Sequence, residues 1–264
     1  MSPDTKMFDK IDLYKSELNK KRPFQDPVLL RELQVFYRID SAFTSNALEG
    51  NSLTLSETKI ILEEGITVGG KPLRDVLEAI GHGAAYDYMF SLIQNNSLSV
   101  NDICKMHRLF YEKIDAENAG VLRKREVFIS GSEHNSDIPE YQDLPAEMRK
   151  LETWMQKTRK NTHPVLFAAR LHKKLAQIHP FIDGNGRVCR LSMNAALIQN
   201  GYPPAIIPPI LRREYIGALE KSWTNDQLFI ELIAGRVLET ERDLMRMLHI
   251  PFPDKYIKHN DNEK

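Results

Sequence analysis

The chain has 264 residues, 42% hydrophobic and 27% charged, with 13 glycines and 14 prolines, a globular composition and not a disordered or fibrous one. Lys+Arg and Asp+Glu are both 36, so the formal net charge is zero, and the cationic excess that non-specific nucleic-acid binding needs is missing. Two distant cysteines, Cys104 and Cys189, fit neither a metal site nor a disulfide scaffold; with a polar first ten residues and no apolar run near the roughly 18 residues of a membrane span, the expectation is a soluble cytoplasmic protein with no membrane partner.

Most of the chain reads as helix. Asp26-Pro27 has the form of an N-cap with proline in the first turn, and Leu30, Leu33, Phe36, Ile39 and Phe43 then recur at helical spacing until Gly50 offers a stop. Thr54-Leu55-Ser56-Glu57 has capping-box form and opens a helix through Ile60, Ile61 and Leu62. Gly69-Gly70-Lys71-Pro72 is a turn before a helix through Val76, Ile80 and Tyr86, with a break at residues 97–102. Residues 120–139 differ: Val127-Phe128-Ile129 is β-prone and Ser130-Gly131-Ser132 is a turn signal, which predicts a small hairpin. The basic runs Lys20-Lys21-Arg22 and Arg123-Lys124-Arg125 read as solvated surface. Helices resume over residues 144–154, and after His163-Pro164 an apolar stripe of Ala168, Leu171, Leu175 and Ile178 marks a buried face. The polar tail beyond Pro253 is expected to fray.

The chemistry concentrates in His179-Pro-Phe-Ile-Asp-Gly-Asn-Gly-Arg-Val-Cys-Arg190. A helix ends at His179, glycines at 184 and 186 allow a tight turn, and a new helix starts near Asn185. Backbone N–H groups at the start of that helix form an anion site. Arg187 and Arg190, three apart, are neighbours able to reach phosphates. Asp183 is a carboxylate placed to hold Mg²⁺ beside them, and His179 is a base at the rim. Singly, each has an ordinary structural explanation; together within twelve residues they do not.

This stretch resembles the Fic signature, His-x-Phe-x-(Asp/Glu)-Gly-Asn-Gly-Arg-x-x-Arg, at every defined position. The resemblance implies an all-α Fic fold, a helical bundle with one small β-hairpin flap. It also implies transfer of AMP from ATP, with Mg²⁺, to a Ser, Thr or Tyr hydroxyl of a target protein, with loss of pyrophosphate. In that scheme His179 is the general base, Asp183 holds the metal, Gly184, Asn185, Gly186 and Arg187 cradle phosphates, Arg190 meets the γ-phosphate, and Phe181 anchors the loop in the core. Residues 120–131 resemble the family's flap, in which Val127, Phe128 and Ile129 would dock a target main chain; the Asn-Ser-Asp-Ile that follows His134 departs from relatives, which often have proline sooner. Ser45-Asn-Ala-Leu-Glu49-Gly50 resembles the family's inhibitory motif, so Glu49, with Ser45 one turn before it, would occupy Arg190. Tyr215 stands where relatives carry a tyrosine beside adenine, with a core tyrosine the competing reading; His172 is read as packing or support, and His82, His107 and His163 receive no role. The division expected is an N-terminal helical segment with the inhibitory helix over residues 1–95 and a Fic core with C-terminal helices over residues 96–264. The same resemblance leaves open AMP removal at the same site, a nucleotide-sensing protein of negligible turnover, homo-oligomers and self-modification.

Overall fold

The computed structural model describes residues 5–20, 27–67, 69–94 and 98–253. Asp26, the 95/96 boundary and the tail beyond Pro253 lie outside the described residues. Ten α-helices form the described architecture: α1 (Thr5–Lys20), α2 (Pro27–Ala47), α3 (Leu55–Glu64), α4 (Leu73–Ser91), α5 (Val100–Tyr111), α6 (Leu144–Thr158), α7 (Pro164–Ile178), α8 (Asn185–Ile198), α9 (Arg212–Lys221) and α10 (Gln227–Met247).

Local chemistry sets several boundaries. The Thr54 hydroxyl accepts from the Glu57 N–H at 3.2 Å while the Glu57 carboxylate accepts from the Thr54 N–H at 2.7 Å, the reciprocal box that starts α3. Gly65, at φ +69°, ends that helix in the left-handed conformation. Ser99 and Asp102 form the same box at α5, and Pro164 occupies the first turn of α7.

Helices α7 and α8 lie along each other at the centre, with α10 against α7, α5 against α4, and α1 against α10. Ala168, Leu171 and Leu175 are fully buried, as their stripe predicts, and nearly all of α8 is buried too, as expected of a central helix. One apolar core runs from Ile11, Tyr14 and Leu18 in α1 to Leu244 and Met245 in α10. Leu53, Ile61, Val76 and Ala79 make a smaller cluster joining α3 to α4. The stripe expected for α2 holds at Leu33 and Ile39 and fails at Phe36, which is 49% exposed. The second half of α2 enters the core instead, burying Ser41, Ala42, Thr44, Ser45 and Asn46, and so carries the helix end to α8.

Among the described residues no strand forms, so the expected hairpin is corrected to an ordered loop. Isolated two-stranded hairpins are marginal, and here side chains take the backbone groups. Asn135 accepts from the Ile129 N–H at 2.7 Å and donates to the Ile129 and Ser132 carbonyls at 3.0 and 2.9 Å. Arg123 is corrected as well: it is buried, and its guanidinium donates to the carbonyls of His179, Arg125 and Pro139. No described helix is long and apolar enough to cross a membrane.

Candidate active site

The C-terminus of α7, the loop after it and the first turn of α8 build the site. His179 takes a left-handed conformation, φ +50°, uncommon for a residue with a Cβ and held here by its surroundings. Its carbonyl is fixed by Arg123 at 3.0 Å. Burial pushes the imidazole down to about 4; a hydrogen bond with the Ala176 main chain and the charges of Glu49 and Asp183 pull the other way without restoring it. The ring is therefore neutral at pH 7, with one nitrogen engaged by Ala176 and the other able to accept a proton.

The loop is rigid for identifiable reasons. The Phe181 ring is fully buried and stacks on His107, centroids 3.8 Å apart and planes 3° apart. The Asn185 side chain accepts from the Phe181 N–H at 3.0 Å and donates to its carbonyl at 2.8 Å. That side chain is committed to the loop, so any phosphate contact from Asn185 falls to its backbone. Gly184, at φ +77°, caps α8 where a Cβ would press on the Phe110 ring at 3.0 Å. The first N–H groups of α8 have no intrahelical acceptor and form the positive end of the helix.

Paired charged groups surround this end. Arg190 is buried and donates to the Ser45 hydroxyl (2.9 Å), the Ser45 carbonyl (2.9 Å), the Tyr215 hydroxyl (3.2 Å) and the Glu49 carboxylate (2.7 Å). Burial would raise the Glu49 carboxyl, but Arg190 outweighs it and holds the group below its usual range. Glu49 Oε1 lies so close to α8 that a Cβ on Gly186 would sit 2.2 Å from it. Arg187 is buried over the Phe110 ring and pairs with Glu78 of α4 at 2.9 Å and with Asp183 at 3.3 Å. Asp183 is 38% exposed and also meets Arg74; burial would raise its carboxyl, and Arg187, the Gly184 N–H and Arg74 together hold it low.

A cavity of about 160 Å³ joins Glu49, His179, Gly186 and Arg190 to Ile129 of the loop and Ile216 of α9, smaller than the roughly 300–1,000 Å³ of typical ligand pockets. A groove of about 640 Å³ between α2 and α3 is larger but lies away from the histidine, and the chemistry decides between them. Among the described residues no cluster of three His, Cys, Asp or Glu could hold a metal by itself. A lone carboxylate beside a phosphate site does fit Mg²⁺, which keeps waters and phosphate oxygens as its other ligands.

Tyr215 is 1% exposed and its hydroxyl lies between His172 Nε2 (2.9 Å) and Arg190, so it supports Arg190 from behind while its side chain lines the cavity. Of the loop residues expected to dock a target, Phe128 is 78% exposed and Ile129 lines the cavity, while Val127 is half-buried. The sequence reading missed Arg74 and Glu78. It also missed His107, whose Nδ1 accepts from the Gly120 N–H at 2.8 Å and whose Nε2 consequently donates to the Asp183 carbonyl at 3.0 Å. Glu220 was missed too, and accepts from the Ser132 hydroxyl and the Glu133 N–H, both at 2.8 Å. The i, i+4 spacing of Arg74 and Glu78 was the one available signal.

Residues 97–197 match the family model described as Fic/DOC. The chain is 38% identical over 195 residues to a protein adenylyltransferase Fic of Drosophila yakuba, covering 73% of this chain and 39% of that protein; it thus spans about two fifths of the curated relatives it matches. The structure superposes on Fic-1 (residues 134–508) of C. elegans with TM-score 0.81 at 28% identity, covering 92% of this chain and 71% of the other. A Fic-domain signalling protein of Bacteroides thetaiotaomicron gives TM-score 0.76 at 25% identity, covering 88% and 95%. With an all-helical fold and a signature loop placed between α7 and α8, the chain belongs to the Fic/DOC family.

Proposed function

We propose that the chain transfers AMP from ATP to hydroxyl groups of target proteins and is held back by Glu49. The observation that carries this is the neutral His179 facing the same cavity as the open first turn of α8 and Arg190. A base that is unprotonated at pH 7 and beside an anion site can act on a hydroxyl at a phosphate.

The free nitrogen of His179 takes the proton of the target hydroxyl. The oxygen bonds to the α-phosphorus in line with the departing β-phosphate, the bond to the β-phosphate oxygen breaks, and pyrophosphate leaves. The α8 N–H groups and Arg187 hold the phosphates where charge develops. Asp183 would hold Mg²⁺, which when bound neutralises phosphate charge. Arg190 would meet the γ-phosphate once Glu49 withdraws. The loop with Ile129 and Phe128 at its edge presents the target main chain to His179, with Asn135 and Glu220 keeping it in place.

The test is incorporation of label from α-³²P-ATP into the protein itself and into lysate proteins, with γ-³²P-ATP as the control. Label from the α but not the γ position is expected, and its absence with Glu49 replaced by glycine would rule out AMP transfer.

A further inference from the structure

We propose that Arg74 sets the metal requirement of the reaction by occupying the Asp183 carboxylate that the divalent cation would use. This rests on Asp183 being the metal ligand of the proposed function. Arg74 projects from the first turn of α4, 109 positions before Asp183 in the chain. Its guanidinium bonds Asp183 Oδ2 and, through Nε, Glu78 Oε1 at 3.1 Å. Glu78 Oε1 takes Arg187 Nη1 at 2.9 Å, and Arg187 Nη2 reaches Asp183 Oδ1 at 3.3 Å. The four residues close a ring of alternating charge.

In that ring both carboxylate oxygens of Asp183 are engaged. Oδ1 accepts from the Gly184 N–H at 2.5 Å and from Arg187; Oδ2 accepts from Arg74 and, at 3.5 Å, from the Tyr111 hydroxyl. A cation binding Asp183 must displace one of them. Arg187 is 5% exposed, stacked on Phe110 and paired with Glu78, itself 7% exposed, so it does not leave without breaking that buried ion pair. Arg74 is 53% exposed and can turn into water while keeping its bond to Glu78. Oδ2 is therefore the oxygen that opens, and the guanidinium is a cation standing in for a cation. A half-exposed ion pair is a modest competitor, which tunes the metal concentration needed and does not block the site.

The experiment counts protein-bound Mn²⁺ by electron paramagnetic resonance of the free ion. The full chain is saturated with non-hydrolysable α,β-methylene-ATP, and a protein-free nucleotide series is subtracted. Arg74→Ala is expected to lower the Mn²⁺ midpoint about two- to five-fold, the range half-exposed ion pairs carry, and Arg74→Lys, which keeps the charge, to recover part of the difference. A midpoint in Arg74→Ala equal to or above that of wild type overturns the inference. Asp183→Asn separates the two levels. If it loses Mn²⁺ while Arg74→Ala does not tighten it, only the role of Arg74 falls. If Asp183→Asn titrates like wild type, the metal-ligand assignment falls and Arg74 with it.

Discussion

Replacing Glu49 by glycine should make the protein less stable and more active at once. Arg190 has four acceptors, of which Ser45 supplies two, Tyr215 one and Glu49 the one carboxylate. Without Glu49 the guanidinium stays buried on three neutral oxygens, and losing a charged hydrogen bond costs about 1.5–3 kcal/mol. At about 2–4 °C per kcal/mol for a domain of this size, the melting temperature should fall by several degrees. The same substitution clears the carboxylate from the face of Gly186 and frees Arg190 for the γ-phosphate, turning the α-phosphate toward His179. Full pre-organisation of reacting groups is worth about 7–11 kcal/mol; recovering roughly 2–4 of these raises the rate about 30- to 1,000-fold. Initial rates of AMP incorporation and thermal melts would be compared for wild type, Glu49→Gly, Arg190→Ala and the double variant. The double variant should lose the gain, because the gain passes through Arg190. A Glu49→Gly rate at or below wild type, or a double variant that keeps the gain, would refute the reasoning.

His179→Ala should lower AMP transfer about 10²–10⁴-fold, the usual contribution of a general base, while ATP affinity measured by calorimetry stays close to wild type. Acid should destabilise the fold steeply between about pH 6.5 and 4. His82 and His172 are pushed to about 3 and His107 and His179 to about 4, chiefly by burial, so the unfolded chain binds their protons first and stability is lost as pH falls through that window. Glu241, raised to about 9 by burial, and Asp40, also raised by burial, have the opposite sign there, but the four histidines outnumber them and leave a net uptake of protons on unfolding near pH 5.5; urea melts from pH 7 to 5 measure the slope, and a flat profile would contradict it. His107→Phe keeps the stack on Phe181 but leaves the Gly120 N–H without its acceptor, and should cost about 1–3 kcal/mol in a urea melt. Asn135→Ala should speed hydrogen exchange at the Ile129 amide and weaken transfer to target proteins while ATP binding holds; unchanged exchange would show that Asn135 does not order the loop.

What the sequence revealed of the site was what is local in the chain. The signature from His179 to Arg190 is a contiguous loop and helix start, so its glycines, charges and cap could be read directly. The capping box at Thr54 and the stripe of α7 were legible for the same reason: their physics acts over three to seven residues. The missing parts are long-range. Nothing in the neighbourhood of Glu78 or Arg74 announces that they meet residues more than a hundred positions away. His107 looked idle because its partners, Gly120 and Asp183, lie on two other segments. The β-prone run at residues 127–129 was a genuine propensity overridden by side chains, since Asn135 satisfies the Ile129 backbone groups that a second strand would have taken. Arg123 misled for a related reason: a guanidinium in a basic run reads as surface, yet its forked donors make it a buried clamp on carbonyls.

The N-terminal segment answers each charged group of the signature with one of opposite sign. Arg190 meets Glu49, Arg187 meets Glu78, and Asp183 meets Arg74. On the proposed function, the two arginines wait for phosphate and Asp183 for a divalent cation, so residues 45–78 reproduce the charge pattern of a metal–triphosphate complex. A buried arginine without an anion is costly, and these contacts let the site keep its arginines poised in the absence of nucleotide. The pairs differ in how readily they part. Glu78 is 7% exposed and locked to Arg187, whereas the Glu49 and Arg74 side chains are 35% and 53% exposed. On that reading substrate would enter by exchange at the two outer pairs, Glu49 giving way to phosphate and Arg74 to metal, while the inner pair would keep Arg187 aimed at the loop. Both displaceable groups are carried by the same N-terminal segment, so a partner that shifts the end of α2 or the start of α4 would change the nucleotide and metal requirements without touching His179.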